Sequence, residues 1–255
     1  MFEFLGPVWG MQRTVEILAL LLLLLGGPLF VAYTRPDVLD WRSANHAPTN
    51  ILPAPAAHDG AVVAVMAARA WGWRGAFAVH TWIAMKPKGA ARYDRYEVVG
   101  WGVQRGMRAV RQNMRPPDAP WAGNPPMVVR LIEGAAAETA IPKIERAVAE
   151  YPYPERYVIW PGPNSNTFVA YVVRRVPELA TELPAHAVGK DWLAHWFPLA
   201  PAMSRTGVQL SLFGVLGLTV ALDEGIEVNL LGLVIGVDPL DLAIKLPGIG
   251  RVGMR

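Results

Sequence analysis

Hydrophobic and polar positions along the chain divide it into four textures. From Ile17 to Tyr33, "ILALLLLLLGGPLFVAY" carries no charge and is flanked by Arg13 and Arg35. As a helix it would rise roughly 25 Å at 1.5 Å per residue, just enough to cross a bilayer. Thr34 to Gly60 has no apolar period and is rich in Pro, Ala and Asn, which predicts a linker over 36–60. Beyond it, "AVVAVMAARAWGW" and "GAFAVHTWIAM" predict two strands, and "RYEVVGWGV" a hairpin partner for the second. "MVVRLIEG" predicts another strand leading into a helix over 135–150, whose regular part starts near Pro142. Tyr151 to Trp160 reads as a loop and a short strand. Phe168, Tyr171 and Val172 then form the apolar stripe of a second helix, stopped by Pro177.

From Gly207 the texture changes again. "GVQLSLFGVLGLTVALDEGIEVNLLGLVIGVDPL" combines β-branched residues with regular glycines, and Asp223-Glu224-Gly225 supplies a turn. This predicts a long Gly-rich β-hairpin, apolar enough to need cover from the domain, a protein or lipid partner, or a membrane. The expected fold is thus α+β. Residues 1–35 form a membrane anchor, 36–60 a linker, 61–200 a core of antiparallel strands with two helices, and 201–255 the β extension.

Composition sharpens the location. The hydrophobic fraction is 53%, with 10 Trp, and the excess concentrates at the two ends of the chain. A retained signal anchor is favoured over a cleaved peptide, because no small-x-small site closely follows the apolar core. The short N-terminal tail then places the main domain outside the cytoplasm: an inner-membrane, single-pass protein with a periplasmic domain. A formal charge of +3 is too small and scattered for nucleic acid binding. Arg105, Arg108, Arg111 and Arg115 form one basic run, read as a solvated face or an anionic-lipid contact. The chain has no cysteine, which excludes disulfides and a cysteine nucleophile and fits an oxidising compartment.

Most enzyme signatures are missing. The five histidines show no metal-ligand spacing, "VGKDW" around Lys190 is not a phosphate loop, and no dinucleotide or nucleophile-elbow motif occurs. No metal or cofactor is expected. What remains is His80, inside an apolar strand, and Ser165, where a turn becomes a helix. A histidine facing a hydroxyl at a helix start suits a base and a nucleophile, with helix N–H groups near a developing oxyanion. Ser165 is equally suited to capping, and His80 to a satisfied core role. Glu97 on the partner strand is the candidate third residue, with Gln104 behind it. Asn164, Asn166, Trp82 and Trp160 are candidates for substrate contact.

The segments "HTWIAM" and "YVIWPGPNSNTFV" resemble the circularly permuted NlpC-type papain-like superfamily, which includes the lecithin retinol acyltransferase-like proteins. The resemblance covers residues 61 to 180. It implies a papain-like core, His80 as general base, and Asn164, Ser165, Phe168 and Val169 as the nucleophile segment. Serine stands where that superfamily has cysteine. An alcohol, unlike a thiol, must lose its proton as it attacks, so a well-oriented histidine becomes essential. The longer stretch "YPYPERYVIWPGPNSNTFVAYVVRRVPELATELP" with "AVGKDWL" resembles an uncharacterised bacterial membrane-associated family. Two functions are therefore expected: a membrane-anchored envelope protein that binds or hydrolyses an acyl, amide or peptide-like substrate, or a non-catalytic membrane-associated interaction or structural protein.

Overall fold

The computed structural model describes residues 6–35, 41 and 43–254, and the side chains among them from residue 11 onward. Its first element is α1 (Gly6–Thr34), of which Met11–Thr34 is long and apolar enough to cross a membrane. Most of its side chains are exposed, but Leu24, Pro28 and Val31 are buried along one stripe near its end. There the helix meets the segment Pro247–Ile249, where a Cβ on Gly27 would lie 2.2 Å from the Pro247 carbonyl oxygen. Much of the predicted linker is irregular, as its composition suggests. Trp41 nevertheless packs against Trp71, Trp101 and Trp121, and Ile51 N–H donates to Asp118 at 2.8 Å, so this stretch is laid against the domain.

Five antiparallel strands form the first sheet: β1 (Val62–Arg69), β2 (Val79–Lys86), β3 (Asp94–Val98), β4 (Val110–Gln112) and β5 (Met127–Glu133), in the order β4-β3-β2-β1-β5. Helices α2 (Gly134–Ala149) and α3 (Ser165–Arg175) follow. The run from Val62 to Ala68 is apolar throughout because the interior strand β1 is buried on both faces. On one face Val63, Val65, Ile83 and Met85 pack with Ile144, Phe168 and Val172 of the helices. On the other, Val62, Ala64, Met66, Trp82 and Ala84 pack under a layer of loops carrying Leu52 and Trp121. Two expectations are corrected here. Helix α2 starts at Gly134 and runs through Pro142, which lies within its first three turns. No strand forms between Tyr151 and Trp160: that segment is turns and bends, bounded by cis peptide bonds at Trp160–Pro161 and Gly162–Pro163.

The C-terminal region is a seven-stranded antiparallel meander rather than a single hairpin. Its strands are β6 (Leu199–Pro201), β7 (Gly207–Leu212), β8 (Leu216–Ala221), β9 (Gly225–Leu230), β10 (Leu233–Asp238), β11 (Ala243–Leu246) and β12 (Gly250–Val252), each paired with its chain neighbours. Side chains alternate between the faces, and the alternation is inverted relative to an ordinary half-buried sheet. The face turned toward the domain carries Lys245, Glu227, Thr219, Gln209, Asn229 and Ser211, all buried. Glu227 pairs with Lys190 at 2.5 Å and with Lys245 at 2.8 Å; Asp191 accepts from Gln209 at 2.5 Å and from Asn229 at 2.6 Å. "VGKDW" is therefore the stretch that docks the second sheet, through Lys190 and Asp191.

The opposite face is aliphatic. One cross-strand row runs Pro201, Val208, Val220, Ile226, Val237, Ile244, Val252 through all seven strands. A second joins Leu199, Leu210, Leu218, Val228 and Ile235, and a third Leu212, Leu216, Leu230 and Leu233. No charged residue lies in any of the three rows.

Candidate functional site

His80 and Glu97 meet because of strand pairing. Ala84 lies opposite Arg95 in the β2–β3 register, so the even positions His80, Trp82 and Ala84 share a face with Arg95 and Glu97. His80 Nε2 lies 2.9 Å from Glu97 Oε2. Arg95 holds the same carboxylate, with its Nε 2.9 Å from Oε1 and its Nη2 donating to Oε2 at 3.0 Å. The guanidinium rests on the Trp82 ring at 4.1 Å. The His80 ring stacks on Trp121, with centroids 3.4 Å apart and planes inclined by 13°. Arg115 closes the layer above, 3.9 Å from the Trp41 ring and 4.7 Å from Trp121. The basic run is thus divided: Arg105 and Arg108 are exposed, whereas Arg115 belongs to this aromatic stack.

Electrostatics fix the protonation of the pair. Burial alone would raise the Glu97 carboxyl, but the His80 hydrogen bond and the Arg95 charge outweigh it and hold the group down to about 2. Burial pushes the His80 imidazole below its ordinary value; contact with Glu97 opposes that shift, and Arg95 and Arg115 add to it. At neutral pH the pair is a carboxylate and a neutral imidazole. The carboxylate can only accept, so the shared proton sits on Nε2, and Nδ1 is left as a lone-pair acceptor.

Ser165 is the first residue of α3, and Asn164 is its cap. Asn164 Oδ1 accepts from the N–H groups of Asn166 at 3.0 Å and Thr167 at 3.1 Å. Its Nδ2 donates to the carbonyls of Ile159 and Val188, both at 3.1 Å. Asn166 donates to the carbonyls of Val79 at 2.9 Å and Val188 at 2.8 Å, and accepts from Thr81 Oγ1 at 2.9 Å. Both asparagines are latches whose amide N–H groups are spent inside the fold. The cap also consumes the Asn166 and Thr167 N–H groups, two of the helix-start donors that could otherwise face an oxyanion. The Ser165 hydroxyl, by contrast, makes no hydrogen bond among the described residues. Capping therefore falls to Asn164 and leaves Ser165 free of that duty.

A cavity of about 780 Å³ brings His80, Ser165, Asn164, Asn166 and Trp160 together. Its walls are Trp71, Trp73, Phe77, Trp101, Trp121 and Tyr157, and Leu231 and Leu233 of the second sheet line it as well. His80 and Ser165 share this space without a hydrogen bond between them. The pleat is the reason: Thr81, on the opposite face of β2 from His80, is the residue that meets α3, through the Ser165 carbonyl at 3.3 Å and Asn166. Trp160 is half exposed and donates Nε1–H to the Leu231 carbonyl at 2.8 Å. Trp82 is fully buried, with Nε1–H donated to the Pro117 carbonyl at 2.7 Å, and does not line the cavity. Gln104 is exposed in a short 3-10 turn, away from Glu97. Sequence reasoning missed Arg95 and the stacking of Trp121 on His80. Arg95 was legible, because it stands two residues before Glu97 and so on the same strand face; Trp121 reaches His80 through a loop.

A protein-family model of unknown function, DUF3750, matches residues 60–192. The chain belongs to this family. The matched DUF3750 region spans the five-stranded sheet, both helices and the Lys190–Asp191 docking stretch, and so includes the polar residues of the cavity. The seven-stranded sheet lies beyond it. Comparisons with curated proteins and with solved structures returned no match.

Proposed function

We propose that this DUF3750 protein is a membrane-anchored envelope protein whose cavity binds a ligand with a long apolar part and an acyl or amide group. The observation that carries this reading is the cavity itself: about 780 Å³ of mostly apolar wall, rich in aromatic side chains, with polar groups at His80, Ser165 and the two asparagines and one charged residue, Arg74. Such a shape suits a ligand that buries hydrocarbon and presents one polar group for orientation. Location at a membrane is supported by α1, which is long and apolar enough to span it. A dansyl-labelled long-chain fatty amide tests the reading, because the wall tryptophans would transfer excitation to a bound dansyl group. Saturable transfer, lost in Ala78→Trp, is the expected result. Transfer that does not saturate, or that Ala78→Trp leaves unchanged, would sink it and turn attention to an interaction or structural role.

A second reading adds hydrolysis, favoured by the free Ser165 hydroxyl and the carboxylate-oriented imidazole. It keeps the resemblance to papain-like proteins, with the Asn-Ser-x-x-Phe-Val segment opening α3. Ser165 Oγ would attack the carbonyl carbon, and its proton would pass through one water to His80 Nδ1. The amine or alcohol would leave with that proton, and a second water would release the acyl group from Ser165. Ser165→Ala should then abolish ester turnover while fatty-amide binding persists. Full turnover in Ser165→Ala leaves binding alone.

A further inference from the structure

We propose that the aliphatic face of the seven-stranded sheet lies flat on the acyl layer of the membrane beside α1. This inference does not depend on what the cavity holds. Its first support is the inverted alternation: charged and amide side chains are buried beneath the sheet, whereas the three aliphatic rows face outward. Burying ions costs several kcal/mol each in desolvation, so a sheet facing water on its outer side would be expected to show the reverse arrangement. The longest row, from Pro201 to Val252, extends roughly 30 Å across the strands, taking about 4.8 Å per strand spacing.

The turns give a second, independent observation. Phe213, Leu231 and Leu242 occupy turn positions at φ 54°, 56° and 47°, where Gly, Asn or Asp would be less strained. They are 80%, 57% and 70% exposed. Leu231 also lines the cavity, but Phe213 and Leu242 are bulky apolar side chains held exposed in a costly conformation, which suits hydrocarbon. Trp196, exposed just before the edge strand β6, adds an aromatic of the kind found at lipid interfaces.

Lipid fits better than a protein partner. A protein interface carries about one hydrogen bond per 100–200 Å², and the three rows offer no side-chain donor or acceptor. The apolar helix α1 also leaves the domain at the β11–β12 turn, beside one edge of this sheet. Strands lying face-on keep their backbone groups paired, as an apolar solvent requires.

The natural absence of cysteine makes the test direct. The full chain, carrying Leu218→Cys, Val228→Cys or the water-facing control Glu145→Cys, is labelled with an environment-sensitive nitrobenzoxadiazole dye and reconstituted in phosphatidylcholine vesicles. At 218 and 228 the emission should shift to the blue, be quenched severalfold by doxyl-labelled lipid, and resist iodide; the label at 145 should behave oppositely. Iodide quenching at 218 and 228 equal to that at 145 would overturn the proposal. Shielding from both quenchers would overturn it as well, because a second copy or another protein would then cover the face.

Discussion

His80 Nε2 and Glu97 Oε2 lie 2.9 Å apart across β2 and β3, on the sheet face turned away from α3. The carboxylate is shared between the imidazole and the Arg95 guanidinium, and the whole group is buried among Trp82, Trp121 and the loops above. The arrangement orients one imidazole nitrogen and leaves the other as an acceptor on a ring that lines the cavity. It also makes Glu97 the residue on which two cation-capable partners converge.

Glu97→Gln keeps a hydrogen-bond acceptor for His80 but removes the charge opposite Arg95. Breaking a buried ion pair by deleting one partner costs about 3–5 kcal/mol, because the other charge stays buried and uncompensated. Chemical denaturation in detergent should show a midpoint lowered accordingly, with little change in slope. If hydrolysis occurs, turnover should fall with it, because the imidazole loses its fixed tautomer.

Asn164 and Ser165 are adjacent but separable. Asn164→Ala removes the helix cap and takes the side-chain donor from the Ile159 carbonyl, whereas the Val188 carbonyl keeps the Asn166 amide, for a combined loss of about 2 kcal/mol. Ser165→Ala removes a hydroxyl with no hydrogen bond among the described residues and should change stability by less than about 0.5 kcal/mol. Denaturation of the two variants side by side checks this. A large loss in Ser165→Ala would give the hydroxyl a structural partner.

What the sequence revealed follows from which forces are local. The four predicted strands of the first sheet and both helices were legible because their apolar periods are undisturbed: Val62–Ala68 reads as a buried strand, and Phe168, Tyr171 and Val172 as a helix stripe. Glu97 was legible as a partner for His80 because hairpin neighbours share faces. That His80 and α3 occupy opposite faces was not, since it depends on where the helix returns after 80 residues of chain. The seven-stranded sheet was reduced to one hairpin for a different reason. Its turns at Phe213-Gly214 and Leu231-Gly232 place an apolar residue where Asn or Asp usually announces a left-handed position, so the turns are hidden within the hydrophobic run.

Gly27 and Gly26 should respond differently to the same substitution. A Cβ at Gly27 would lie 2.2 Å from the Pro247 carbonyl oxygen and 3.3 Å from the Ile249 side chain, whereas at Gly26 it would meet only Leu22 of its own helix, at 3.5 Å. Gly27→Leu should push α1 off the β11–β12 turn and cost about 1–3 kcal/mol through overpacking. Gly26→Leu should be neutral or slightly stabilising, as leucine favours helix over glycine. Thermal midpoints of the full chain in micelles compare them; equal effects would mean that α1 does not dock on the turn.

Stability should fall on acidification, and His186 offers a way to isolate one proton of that fall. Its ring is buried, with no hydrogen bond to either nitrogen among the described residues. Burial, reinforced by the positive charges of Arg69 and Arg35, holds its pKa down to about 3. An unfolded chain would protonate this imidazole near 6.5, so between pH 6.5 and about 3 the unfolded state binds one more proton than the folded state. Its contribution is complete above 6.5 and declines by about 1.4 kcal/mol per pH unit as pH falls through that window. His80, also depressed by burial, adds a decline in the same direction below 6.5, and Glu97 adds another between its unfolded value near 4.5 and about 2. His186→Leu forfeits no hydrogen bond and removes one titrating group. Its denaturation midpoint should therefore decline more gently between pH 6.5 and 4.5, by about one proton's worth of slope. An unchanged slope would mean that the His186 imidazole is protonated in the folded protein as readily as in the unfolded chain.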